Sequence, residues 1–117
     1  MNHLPESYFK DYDAFTEHDI MEVTADGIRL RNSRWILFAE CAENFKKAHP
    51  NSSGSCVGER EISDLSFTFY ANSKPVMIKF LPYNRFIEFF RKDNAAKRFH
   101  TLQQKIEHFG YSMYDLS

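Results

Sequence analysis

The residues best equipped for chemistry are six cations in the second half of the chain: Arg85, Arg91, Lys92, Lys97, Arg98 and Lys105. They outnumber Glu88 and Asp93 over the same stretch. Their chemistry would be electrostatic. A row of Lys and Arg on successive helices can track a phosphate backbone and displace its counterions. An acidic protein surface would satisfy the same charges, and a solvated helix face is their ordinary fate. Tyr83 and His100 lie near enough in sequence to join a nucleic-acid contact.

The other reactive side chains are less well arranged. His100, Gln104 and His108 recur at four-residue steps, which sets the two imidazoles two helical turns apart. A zinc-binding helix places its histidines at i and i+4 and needs a third ligand. His18 and Glu22 have the i,i+4 spacing but no third ligand. Cys41, Cys56 and His49 offer thiols and an imidazole, yet nucleophilic catalysis requires a thiol of lowered pKa held beside a base. Cys41 falls on the flank of a predicted helix, where burial suits it. Cys56 falls in a Ser/Gly-rich loop, exposed and without an activator. Residues Gly54 to Arg60 hold two glycines, but a phosphate cradle leads into a helix and here a strand follows. Paired carboxylates, a nucleophile with its base and a complete ligand set are all missing from the pattern. No catalytic residue, metal or cofactor is therefore expected.

The elements that must carry these side chains are read from hydrophobic period. Leu65, Phe67 and Phe69 alternate with Ser66, Thr68 and Tyr70; Val76, Ile78 and Phe80 alternate with Met77, Lys79 and Leu81. Residues 72–75 (Asn-Ser-Lys-Pro) supply turn chemistry between them, so a central hairpin is predicted over about 64–81. Trp35, Phe38, Ala39, Ala42, Phe45 and His49 recur at three- and four-residue steps and predict a helix over 34–49, capped by Asn32 or Ser33 and closed by Pro50. Glu40, Glu43, Asn44 and Lys47 fall on its other side, with Glu43 and Lys47 as an i,i+4 pair. A helix over 85–92 follows the hairpin. Another over 95–109 begins at Asp93 or Asn94, carries Phe99, Leu102 and Ile106, and ends at Gly110. Ile20–Val23 and Ile28–Leu30 flank Asp26-Gly27, a hairpin signal. Residues 1–18 read as a docking arm, and residues 56–61 as an edge strand.

The predicted fold is therefore α+β: an antiparallel sheet covered on one face by helices at 34–49, 85–92 and 95–109. Phe67, Phe69, Ile78 and Phe80 should meet Trp35, Phe38, Phe99, Leu102 and Ile106. With 117 residues, 43% hydrophobic and 26% charged, one domain with its own core is expected. The longest apolar run, Trp35 to Ala39, cannot span a membrane. No secretory signal opens the chain, and two cysteines make no disulfide scaffold, so a cytoplasmic location is expected.

Charge is lopsided about a net −1. Residues 1–64 hold twelve acids against seven Lys/Arg, and residues 65–117 hold four against eight. The acids at 6–26 could lie across the basic helices, within one chain or between copies. The outer side of the hairpin, with Tyr70, Met77 and Leu81, leaves apolar area that the chain's own N-terminal arm, a partner or a second copy would cover. A non-catalytic domain acting through protein contacts, with another protein or a second copy of itself, is the expectation. Nucleic-acid binding by the helices at 85–105 is the alternative.

Overall fold

A computed structural model describes residues 4–81 and 94–116. In chain order its strands are β1 (Asp13–Thr16), β2 (Ile20–Val23), β3 (Gly27–Leu30), β4 (Trp35–Leu37), β5 (Cys56–Glu61), β6 (Ser66–Phe69), β7 (Val76–Lys79) and β8 (Ser112–Asp115). The helices are α1 (Phe38–Ala48) and α2 (Ala95–His108). The helix expected over 85–92 lies outside the described residues.

The central hairpin forms as its alternation demands. In the antiparallel β6–β7 pair, Phe67 stands opposite Ile78 and Phe69 opposite Val76, which gathers the apolar set on one face. β5 adds antiparallel to β6, with Gly58 opposite Phe69. Gly58 has no room for a side chain, since a Cβ there would sit 2.1 Å from the Thr68 carbonyl oxygen. The sheet then departs from the purely antiparallel arrangement expected. β1 joins β7 in parallel and β8 joins β5 in parallel, giving five strands in the order β1-β7-β6-β5-β8. Parallel neighbours need long connections. Local alternation carries no trace of them. The α+β class stands, with a mixed sheet in place of an antiparallel one.

A second sheet, β2-β3-β4, is antiparallel throughout. Its last strand corrects the start of the first helix. Trp35–Leu37 pairs with β3, and α1 begins only at Phe38. Asn32 and Ser33 adopt left-handed φ values of 63° and 60° and turn the chain between β3 and β4 rather than capping a helix. Trp35 consequently leaves the expected core and is 39% exposed on the outer side of this sheet.

α2 has well-made ends. The Asn94 side chain accepts from the Lys97 amide at 2.8 Å. At the other end the Gly110 amide donates to Glu107 and the Tyr111 amide to Ile106, with Gly110 at φ 93°. Those two bonds form a Schellman motif, which satisfies carbonyls the helix leaves open. The motif turns the chain directly into β8. Phe99, Leu102 and Ile106 then face the sheet, joined in one core by Phe67, Phe69, Ile78, Phe80 and Phe38. Ile28, Leu30 and Ile36 seal that core from the small sheet.

Candidate functional site

Tyr70, Met77 and Leu81, the expected protein-contact residues, do not make one exposed patch. Tyr70 does point away from the main core, yet it is only 2% exposed. Tyr8, from the short 3₁₀ turn Glu6–Lys10, comes down beside it and donates its hydroxyl to the Ala71 carbonyl at 2.6 Å. Phe45 of α1 packs on the Tyr70 ring with centroids 4.8 Å apart, and Phe9 meets it edge-on at 5.7 Å. Asn44, expected on the outer side of the helix, is buried here and donates to the Tyr70 carbonyl at 2.9 Å. Tyr70 thus anchors a second small core. Met77 is half-buried and Leu81 is exposed.

The Tyr70 hydroxyl sits in a short polar chain. Its single proton goes to Glu59 at 2.5 Å, so the 3.3 Å contact with His49 requires His49 to carry its proton on Nε2. Burial, and then the Glu59 carboxylate, push the Tyr70 phenol well above its usual range; burial does the same to Tyr8. Residue spacing offers no sign of this chain, because its members come from the end of α1, from β5 and from the residue just after β6.

The thiols are placed to be inert. Cys41 is fully buried, and burial pushes its thiol up to about 12. Cys56 is not the exposed loop residue expected: it opens β5, is buried, and donates its thiol to the Gly58 carbonyl at 3.4 Å. Burial raises its pKa as well. A nucleophilic thiol needs the opposite shift. Among the described residues no three His, Cys, Asp or Glu side chains gather as a metal site.

Of the six cations, Arg85, Arg91 and Lys92 lie outside the described residues. Lys97, Arg98 and Lys105 lie on α2 and line a groove of 300 Å³ shared with Glu17, Ile20 and Val23. Arg98 is already engaged. It grips Glu17 through Nε and the terminal nitrogen at 2.9–3.0 Å and donates to the Leu81 carbonyl. Both side chains of this pair are largely buried. It is a contact between the acidic N-terminal stretch and a basic helix within one chain. The neighbouring acids find other partners: Asp11 and Asp13 meet Lys74, Asp13 also meets Arg34, Asp19 meets Arg31, and Glu22 meets Arg29.

A larger open surface feature lies elsewhere, on α1. A trough of 740 Å³ runs along the outer side of this helix, lined by Ala39, Ala42, Glu43, Lys46 and Pro50, with Tyr111 among its remaining lining residues. Lys47 reaches Glu43 at 3.7 Å, the expected i,i+4 pair. The helical period puts Glu43 and Lys47 outward, as found, but it puts Ala39 and Ala42 on the core side and Asn44 outward. Ala39 is exposed, Ala42 lines the trough while touching the core, Asn44 is buried, and nothing in the period brings Tyr111 here. No protein-family model, curated protein or solved structure matches this chain. Among the described residues no helix is long and apolar enough to cross a membrane.

Proposed function

We propose that this chain acts through protein–protein contacts, and that the outer stripe of α1 receives a second copy of itself. One observation carries the reading. Ala39, Glu43, Lys46 and Pro50 follow one another at steps of four, three and four residues and line the same trough. These four residues are symmetric about the midpoint of the stripe, with apolar residues at both ends and opposite charges inside. Lys47, also in the lining, meets Glu43 at 3.7 Å within the chain. Two such stripes laid antiparallel set each Glu43 against Lys46 of the other copy, and each Ala39 against Pro50. Helix dipoles also oppose in that arrangement. Exposed ion pairs are worth only about 0–1 kcal/mol each, so the dimer is weak and sensitive to salt. Apolar contact along Ala39, Ala42 and Tyr111 adds to it.

Light scattering across a concentration series tests the reading. The wild type should gain mass toward a dimer, Glu43→Lys should remain monomeric, and Glu43→Lys combined with Lys46→Glu should regain the dimer. A wild-type mass of one chain at every concentration would sink the proposal.

A nucleic-acid-binding role for the basic helices at 85–105 is the second reading. Lys97 and Lys105 favour it, since neither has a carboxylate partner among the described residues. Arg98, held by Glu17, weakens it. The role requires affinity that falls steeply with salt and is lost on reversing Lys97 and Lys105. No oligonucleotide binding at low salt removes it.

A further inference from the structure

The groove between β2 and α2 combines two features that a phosphate backbone does not need together: an apolar floor and a positive rim. Ile20, Val23, Phe80 and Leu102 make the floor. Phe80 and Leu102 belong to the main core, and Ile20 and Val23 pack against it from the small sheet, so the groove opens directly onto core surface. Lys97 and Lys105 stand at the rim. Glu17 also lines the groove, but its charge is matched by Arg98 at 2.9 Å, and among the described residues no carboxylate pairs with either lysine. The mouth is therefore cationic and the interior apolar.

The helix geometry puts the two lysines on the side of α2 that borders the groove. Lys97, Thr101 and Lys105 follow at four-residue steps on one face of α2, so each lysine lies about 6 Å along the axis from Thr101. Both lysines are exposed and their long side chains border the same groove, with Thr101 between them. The Thr101 hydroxyl donates to the Lys97 carbonyl at 2.9 Å, so its proton is not free for a ligand. Among the described lining residues, recognition of a head group falls to the two lysines. At 300 Å³ the groove sits at the lower end of the range of about 300–1,000 Å³ typical of small-molecule sites. Its floor offers no open aromatic face for a nucleobase, because Phe80 is buried among Phe67 and Phe99.

We propose that this groove is a binding site for a medium-chain aliphatic carboxylate, its tail on Ile20, Val23 and Leu102 and its head between Lys97 and Lys105. The site is separate from the α1 trough, and its occupancy does not depend on the oligomeric state.

Octanoate and octanol, titrated separately into the full chain and followed by amide chemical shifts, test it. Octanoate should shift the amides of Ile20, Val23 and Leu102. The variant Lys97→Gln/Lys105→Gln should bind octanoate about tenfold more weakly while binding octanol as the wild type does. Both substituted lysines are exposed, so the variant should melt with the wild type. Val23→Asp places a negative charge in the path of the tail and should abolish octanoate binding. The proposal is overturned if wild type binds octanol and octanoate alike, if the double variant binds octanoate unchanged, or if the shifts fall outside the groove.

Discussion

Phe67 and Phe99 stack with ring centroids 4.2 Å apart and planes 8° from parallel, at the point where α2 meets the sheet. Phe80 meets both rings edge-on, at 5.9 and 5.7 Å. Phe67→Ala and Phe99→Ala should each destabilise by about 3–5 kcal/mol in denaturant unfolding. The double variant should recover about 0.5–1.5 kcal/mol of coupling beyond additivity. Strict additivity would mean that the rings do not act as a pair. Both residues are legible in the sequence, one from strand alternation and one from a helical stripe. Tyr70 was legible only in part. Its alternation correctly put it on the side opposite Phe69, but a period reports a face and not what lies on it. The cover is Tyr8, far away in the chain, and nothing local in residues 65–70 announces that meeting. Cys56 fails for a related reason. The strand over 56–61 is expected at a sheet edge with Cys56 exposed, while β8, which pairs with it in parallel and leaves β5 inside the sheet, comes from the other end of the chain.

The hairpin of β2 and β3 shows how an element can be found through a signal that works differently from its usual mechanism. Asp26-Gly27 commonly marks a turn in which both residues take positive φ. Here the turn residues are Ala25 and Asp26, closed by paired bonds between Thr24 and Gly27 at 2.8 and 3.2 Å. Gly27 is in β3, and among the described glycines only Gly110 has positive φ. What Gly27 provides is space. A Cβ there would fall 2.0 Å from the Ile36 carbonyl oxygen on the neighbouring strand. Gly27→Ala should therefore push β4 off β3 and destabilise by about 1–3 kcal/mol. Gly110→Ala, which meets open space and carries only the left-handed backbone penalty, should cost about 1 kcal/mol. Thermal melts of the two variants check the order; a milder Gly27 variant would contradict the close approach. The start of α1 was misread for a physical reason too. Trp35, Ile36 and Leu37 fit a helical stripe and a strand equally by period, and β-branched and aromatic side chains suit a pleated surface. Pairing with β3 settled the matter, and pairing is a tertiary event.

Across the whole molecule, buried acids of high pKa set a limit at alkaline pH. In the unfolded chain Cys41 titrates near its ordinary value of 9.0, and Tyr8 and Tyr70 near 10.0; in the fold all three are raised by burial. Below those ordinary values the groups are neutral in both states and cost nothing. Above them the unfolded chain releases protons that the fold retains, so stability falls as pH rises, first through Cys41 and then more steeply through the tyrosines. Circular dichroism and tyrosinate absorbance, followed together, should show part of the phenolate signal appearing only as the fold is lost. Full tyrosine titration near pH 10 with an intact spectrum would contradict the burial. Asp13 acts in the opposite sense. The Arg34 hydrogen bond holds its pKa below the ordinary carboxylate value, so its contribution is present above about pH 4 and fades below it. The strand order has a consequence for how the molecule is made. β5 gains its outer neighbour only when Ser112–Asp115 arrives, and β7 must wait for nothing, since β1 has long since been synthesised. On a ribosome the sheet thus closes from one side early and from the other last. Until then β5 offers a bare row of amides and carbonyls to whatever passes, which makes the interval before residue 115 emerges the nascent chain's period of greatest exposure to wrong pairing.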